Sequence, residues 1–387
     1  MKRAALMFKN LKTPWKVLLV VGVLVIAAAL IAVVIHKVDE GVFMKTPTKT
    51  VESLSYTNTK GAVLTNPDAS GLPTKVLLND NYYVGQTFNN CGPAALSMDL
   101  SFYGVNVSQE ALADILRPDH NDTGKGDEKS TPPEDIAAQA EQYGLIAYYR
   151  PAGNIDLLKK LVAAGFPVIV RTLYLPTDQV AHYRVIKGYD DTTGEIIDED
   201  GFQGPNVRYS YNDFLSIWKY YNYEYVVLAT PAKQAQLEAI LGNEVSSQTA
   251  WQLAAQNAQA DIKYDPNDPL ATFNLAVADY YLGDYAGSVA AFESAESTGL
   301  LPPHTLWYQI EPIESYYELG QYDKVFSLSQ SIFDQGNIAV PELYVLRGES
   351  YEKEGNTADA KAQFELALQY NKNLQSAKAE LAALGSS

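Results

Sequence analysis

The chain of 387 residues is poor in cysteine, histidine and positive charge, with one Cys, four His and 29 Lys and Arg against 46 Asp and Glu. A single cysteine cannot form an intramolecular disulfide, so the fold has no covalent staple and must rest on buried cores. A formal net charge of −17 leaves no basic stripe to meet a phosphate backbone, which excludes nucleic acid as a partner. So few His and Cys, scattered along the chain, make no metal-ligand cluster, and the reading calls for no metal and no cofactor. There is no glycine-rich phosphate loop of the G-x-x-x-x-G-K type, and hence no sign of an ATP-binding cassette.

Among the features present is an apolar run. Val17 to Ile35 carries no charged residue and is long enough to cross a hydrocarbon core of about 30 Å as a helix. Lys2, Arg3, Lys9, Lys12 and Lys16 precede it without an acidic residue, while Asp39 and Glu40 follow. The positive excess predicts a cytoplasmic N-terminus, a single-pass anchor over residues 1–36, and the bulk of the chain outside the cell membrane. A cleaved signal peptide has an apolar segment of about 7–15 residues, shorter than this one. Residues 37–75, rich in Thr, Ser, Lys, Asn, Gly and Pro, read as a flexible linker.

Residues 76–231 mix helical and strand-like patterns. Helices are predicted for CGPAALSMDLSFYG, for SQEALADILR after the capping Ser108, and for TPPEDIAAQAEQYG up to Gly144. LIAYYR, FPVIVRTLY, HYRVIKGY, EIID and EYVVLA read as strands, rich in β-branched and aromatic residues. Helices first and mostly antiparallel strands afterwards indicate an α+β domain.

Residues 232–387 follow a helical period throughout and contain an internal repeat aligned on Gly283, Gly320 and Gly355. The separations of 37 and 35 residues lie near the tetratricopeptide period of about 34. Small residues Ala276 and Gly348 suit close helix approach, and Phe292, Phe326 and Phe364 fall on the second helix of each unit. These units resemble tetratricopeptide repeats, which implies an all-α solenoid that binds a peptide or docks a neighbour. The second unit departs from the pattern, with Pro312 expected to interrupt its first helix and Val325 where the second helix usually has Ala.

The chemistry centres on QTFNNCGPAALSM. Cys91 stands where a helix begins, and free N–H groups there favour a thiolate. A cysteine before an apolar helix is by itself more often filler than nucleophile, so the argument needs a base. His36 flanks the apolar run, His120 lies in a polar loop and His304 lies in the repeat region. His182 remains, at the start of a strand about ninety residues after the cysteine. The hairpin HYRVIKGYDDTTGEIIDED turns at Asp191–Gly194 and sets Asp198 and Asp200 on one strand face, both near the height of His182. Gln86, five residues before Cys91, carries an amide able to donate to an oxyanion.

CGPAALSM, GFPVIVR, HYRVIKGYDD, DGFQGP and YNDFLSIW, in that order, resemble the papain-like cysteine peptidases. The resemblance is to the double-glycine-leader (bacteriocin-processing) peptidases and their stand-alone relatives. It implies an oxyanion-hole glutamine and a Cys–His–Asp triad, here Gln86, Cys91, His182 and an aspartate of the return strand. The family's glutamine sits six residues before the cysteine and its aspartate precedes a proline, whereas Gln86 is five before and neither aspartate precedes one. The GP of GFQGP favours Asp200, and the count from His182 favours Asp198; Asp200 is placed ahead of Asp198. The expected function is a membrane-anchored, extracytoplasmic cysteine peptidase acting on a peptide or protein, with a protein partner on the repeats. The alternative is an inactive peptidase-like binding or scaffold protein that works through the repeats.

Overall fold

The computed structural model describes residues 71–79, 82–119, 126–177 and 179–386. The expected membrane span at Val17–Ile35, most of the linker, and His36 and His120 lie outside the described residues. No helix among the described residues is long and apolar enough to cross a membrane. All of them fall in one compact unit.

The mixed part runs β1 (Lys75–Leu77), α1 (Cys91–Ser101), α2 (Gln109–Leu116), α3 (Pro133–Glu141), β2 (Ile146–Arg150), α4 (Ile155–Ala163), β3 (Val168–Leu173), β4 (Ala181–Asp190), β5 (Glu195–Asp200), β6 (Gly204–Ser210), α5 (Tyr211–Trp218) and β7 (Tyr225–Ala229). Ser108 caps α2 by accepting from the Ala111 N–H at 3.2 Å. Pro133 opens α3 where no backbone N–H is needed. The strands form one antiparallel sheet ordered β2-β7-β3-β4-β5-β6, with β1 pairing the far end of β4. The pattern of the sequence assigns no element to β1, α4, α5 or β6.

Alternation along the strands sends side chains to two cores. Ile169, Tyr183, Val185, Val226 and Leu228 face α1, α2 and α3. Val168, Val170, Ile186, Tyr225 and Val227 face the opposite way, against α4, α5 and a later helix, α6 (Gln234–Leu241). Burial on both faces explains why VIVRTL and YVVLA read as unbroken apolar runs rather than alternating ones.

From residue 231 onward the described chain is helical: after α6 come α7 (Ser247–Tyr264), α8 (Pro269–Tyr281), α9 (Tyr285–Ser297), α10 (Glu311–Glu318), α11 (Tyr322–Asp334), α12 (Pro341–Lys353), α13 (Thr357–Tyr370) and α14 (Gln375–Ser386). Helices α8 and α9, α10 and α11, and α12 and α13 form successive pairs, with left-handed Gly283, Gly320 and Gly355 in the turns. A Cβ on Gly348 would run into the Phe364 ring of the facing helix, so glycine sets that approach. Pro312 does not interrupt a helix: it occupies the first turn of α10, where its missing N–H costs nothing, and a short 3-10 turn at Thr305–Trp307 stands before it.

The first helices of the pairs, with the segments before them, are packed against the sheet-bearing part. Asn222 donates to the Asn274 carbonyl at 3.0 Å, and Asn274 donates back to the Lys219 carbonyl at 2.8 Å. Arg171 of β3, paired with Glu224, donates to the Tyr308 carbonyl. Trp251 stacks on Tyr281 at 3.9 Å and meets Tyr149 of β2 edge-on at 6.2 Å. At the other end, Asn373 donates to the Ile115 carbonyl at 3.0 Å.

This seam is rich in acid. Burial pushes Glu311 and Glu224 up to about 8, in Glu224 against the pull of the Arg171 guanidinium, and pushes Glu314 and Glu342 up to about 7. Each holds a proton in the folded chain at a pH where the unfolded chain has released it. The folded state therefore binds more protons, and stability falls as pH rises from the ordinary carboxylate range towards 8. Thermal melts should show a lower midpoint at pH 8.5 than at pH 6. Glu311→Gln should narrow that gap by about 2 °C or more; an unchanged gap would remove Glu311 from the account.

Candidate active site

Cys91 is the first residue of α1 and is half-buried. The turn before it is clamped. Asn89 takes a left-handed φ of 54° and donates to Asp127 at 2.7 Å. Buried Arg117, just past α2, binds that Asp127 oxygen at 2.8 Å and also donates to the Asn90 side-chain carbonyl. Asn90 occupies the N-cap position, but with its carbonyl taken by Arg117 it makes no side-chain cap. The first-turn N–H groups and the positive end of the helix dipole are thereby left to Cys91. Gly92 fits because a Cβ there would press on Thr131 and Ile136 at 3.3 and 3.4 Å.

His182 is the second residue of β4 and is buried. Its ring neighbours Cys91 on one side, close enough for each group to shift the titration of the other. On the other, Nε2 lies 2.9 Å from Asp200 Oδ1, which leaves Nδ1 for the thiol. The same Asp200 oxygen accepts the backbone N–H groups of Phe202 at 2.8 Å and Gln203 at 2.9 Å. Asp198 is buried two residues back on the same face, and its oxygens accept no hydrogen bond; the Arg184 Nε lies 3.6 Å from it. The structure thus brings Cys91, His182 and Asp200 into one chain and keeps Asp198 off the imidazole. The register of β5 against β6 shifts between Asp198 and Asp200, which a count along the sequence cannot register.

Gln86 is drawn to this group through its backbone, whose N–H donates to the Gly201 carbonyl at 2.7 Å. A Cβ on Gly201 would press on Gln86 at 3.2 Å, so this glycine lets the glutamine segment lie against the turn after Asp200. The Gln86 Oε1 is buried without a hydrogen bond. Sequence reasoning passed over Gly201, Arg117 and Arg184. The one available signal was Arg184, a charge in the strand HYRVIKGY on the same face as His182.

The charges are strongly coupled. Burial pushes the Cys91 thiol up, but the hydrogen bond and charge of His182, the Tyr183 backbone N–H and the Arg117 charge together hold it below the ordinary thiol value. Burial pulls His182 down and the Arg184 charge does the same; the Asp200 charge and hydrogen bond and the Cys91 hydrogen bond outweigh both and raise it to about 9. Asp200, despite burial, is held well below the carboxylate range by His182, Arg184 and the Gln203 N–H. The shifts run in the two directions that an ion pair needs, the thiol down and the imidazole up.

A half-buried cysteine at a helix N-terminus, with an imidazole and a carboxylate on two adjacent strands, is the arrangement of a papain-like site. Residues 77–226 match the model of the Peptidase_C39 like family, so this part of the chain is a C39-like, papain-like α+β domain, followed by a helical region. Among solved structures, a C39-like peptidase from Bacillus anthracis aligns at 18% identity over 40% of this chain and 98% of its own, with a TM-score of 0.34. The peptidase domain of Streptococcus ComA, a bifunctional ABC transporter involved in quorum sensing, aligns at 23% identity over 38% of this chain and 96% of its own, with a TM-score of 0.31. No curated protein matches the sequence.

Because Cys91 is the only cysteine, alkylation by iodoacetamide reports on this site alone. An ordinary thiol slows about a hundredfold between pH 8 and pH 6 as its thiolate is lost. Cys91 should slow far less, and His182→Ala should restore the full fall.

Proposed function

We propose that the C39-like domain is a cysteine peptidase. The observation that carries the reading is the convergence of Cys91, at an uncapped helix N-terminus, with a His182 ring that is hydrogen-bonded to Asp200 at 2.9 Å and shifts the thiol's titration downward. Cys91 Sγ attacks the carbonyl carbon of the scissile amide, and the negative charge moves to the carbonyl oxygen. The Cys91 backbone N–H and the Gln86 side-chain amide donate to that oxyanion. His182 gives its proton to the leaving amine as the C–N bond breaks, leaving a thioester on Cys91. His182 then takes a proton from water, whose oxygen attacks the thioester and releases the acid and the thiolate. Asp200 holds the imidazole in the tautomer and orientation that both steps need.

The substrate class is a peptide or protein. The length and flanking charge of Val17–Ile35 support a single-pass anchor that holds the catalytic part on the extracytoplasmic side. The helix pairs support the reading of residues 232–387 as tetratricopeptide-like repeats. Since their first helices are engaged with the C39-like part, a protein partner would meet the second helices α9, α11 and α13.

Peptide hydrolysis followed by mass spectrometry tests the assignment. Cys91→Ala should abolish turnover. Asp200→Asn should lower kcat/KM about a hundredfold or more, and Asp198→Asn less than tenfold. Gln86→Ala should lower kcat by about tenfold to a thousandfold with KM little changed. Turnover that survives Cys91→Ala would exclude the thiol mechanism. A wild-type protein that cleaves no peptide and alkylates as an ordinary thiol would leave the binding or scaffold reading.

A further inference from the structure

Arg184 lies two residues beyond His182 on the same face of β4 and is fully buried. A buried guanidinium is tolerated only where its donors are matched. Here Nη1 donates to Thr172 Oγ1 and to the Leu173 carbonyl at 2.9 Å, and Nη2 to the Tyr174 carbonyl at 2.6 Å and the Tyr209 hydroxyl at 3.3 Å. The Nε edge makes no hydrogen bond and is matched by charge, 3.0 Å from Asp200 Oδ2 and 3.6 Å from Asp198 Oδ2. Asp200 Oδ1 is committed to His182 and two backbone N–H groups, whereas Oδ2 is buried and accepts no hydrogen bond. The guanidinium is therefore the group that holds that second oxygen. Its hold on the Tyr174 carbonyl has a second consequence, because the Tyr174 ring meets the His182 ring edge-on at 5.3 Å and Phe202 at 5.1 Å.

We propose that Arg184 is a positioning residue that fixes the Asp200 carboxylate and the Tyr174 ring on two sides of the His182 imidazole, with Asp198 completing its cage. This rests on the assignment of Cys91, His182 and Asp200 made above. A Cys91 thiolate, a His182 imidazolium, an Asp200 carboxylate and the Arg184 guanidinium sum to zero charge, provided Asp198 keeps its proton. Burial pushes Asp198 well up, against the pull of Arg184, which is the state that count requires. The other titratable groups facing the pair are Glu199 on the same strand, Tyr209 on β6 and Tyr83 before α1. Glu199 is paired with Lys187, and both tyrosines are raised above their ordinary value, Tyr209 to about 12, so none of the three adds an unmatched anion at neutral pH.

Without the guanidinium, two buried carboxylates stand on one strand face with His182 as the remaining cation. One of them then holds a proton to higher pH, and when Asp200 holds it the imidazolium loses its counter-charge. The acid edge of thiolate formation must rise.

Alkylation of Cys91 as a function of pH, with kcat and KM where a peptide substrate is in hand, tests this on the full chain. Arg184→Met should slow alkylation about tenfold or more at pH 5.5, an upward shift of about one pH unit, and leave it within about threefold at pH 8. It should lower kcat rather than raise KM. Arg184→Lys, which keeps the charge, should return the acid edge to within about half a unit while losing the fork that also holds Tyr174. The double variant R184M/D198L buries no surplus carboxylate, which guards against loss of folding, and should shift the edge upward by less than Arg184→Met does. A merely structural role would lower the melting midpoint in all three without moving the edge, and that result overturns the proposal. So does an Arg184→Lys edge displaced as far as that of Arg184→Met. An ordinary thiol profile in the wild type overturns the triad with it, whereas a low wild-type edge unmoved in the variants overturns Arg184 alone.

Discussion

The contact between the thiol of Cys91, at the start of a helix, and the imidazole of His182, at the start of a strand, is the constraint on which the rest depends. Neither partner holds its charge state alone: burial works against the thiolate and against the imidazolium. Each is stabilised by the other and by a third group fixed in the fold, the uncapped end of α1 on one side and Asp200 on the other. The sheet sets that geometry, because adjacent antiparallel strands carry His182 and Asp200, and because the α1 face of the sheet buries Met98 and Leu100 against Val185 and Val226.

The chain commits much of its buried polarity to this arrangement. Arg117 closes the turn before Cys91, and Arg184 closes the carboxylate end. Both are fully buried arginines whose donors fork to several acceptors, a task that the single ammonium of a lysine could not perform. The helical half extends the same brace. Asn371 and Asn373 hold the end of α2, from which Arg117 projects, and Tyr308 and Asn274 hold the β3 and β7 side. The helical region and the C39-like part are therefore joined by directional bonds as well as by the Trp251 stack, and the acidic seam makes that joint sensitive to pH.

Much of this was legible in the sequence, and the failures have physical causes. Strands with β-branched runs and helices with caps were readable because local preference and burial agree there. β6 was not, since Gly204 and Pro205 open it and most of its residues are exposed, so it lacks an apolar pattern. Pro312 was misread because proline is forbidden in a helix interior and favoured in the first turn, and only the position of the helix start decides which applies. The site was legible as residue types in order. The sequence already placed Asp200 ahead of Asp198 through GFQGP, whereas what separates the two, the hydrogen bond to His182 and the register shift of β5, and the place of Gly201 against Gln86 are features of the fold. Arg184 was visible as a letter, but its role depends on six partner atoms drawn from three strands and the loop after β3.

The central claim is that Cys91 and His182 form an ion pair. Nuclear magnetic resonance of the His182 ring, titrated with Cys91 free and then blocked by methylthiolation, reads it directly. The account predicts an imidazolium that persists to about pH 9 in the free protein and titrates lower once the thiolate is removed. A His182 that titrates near its ordinary value, or one indifferent to the block on Cys91, would contradict it.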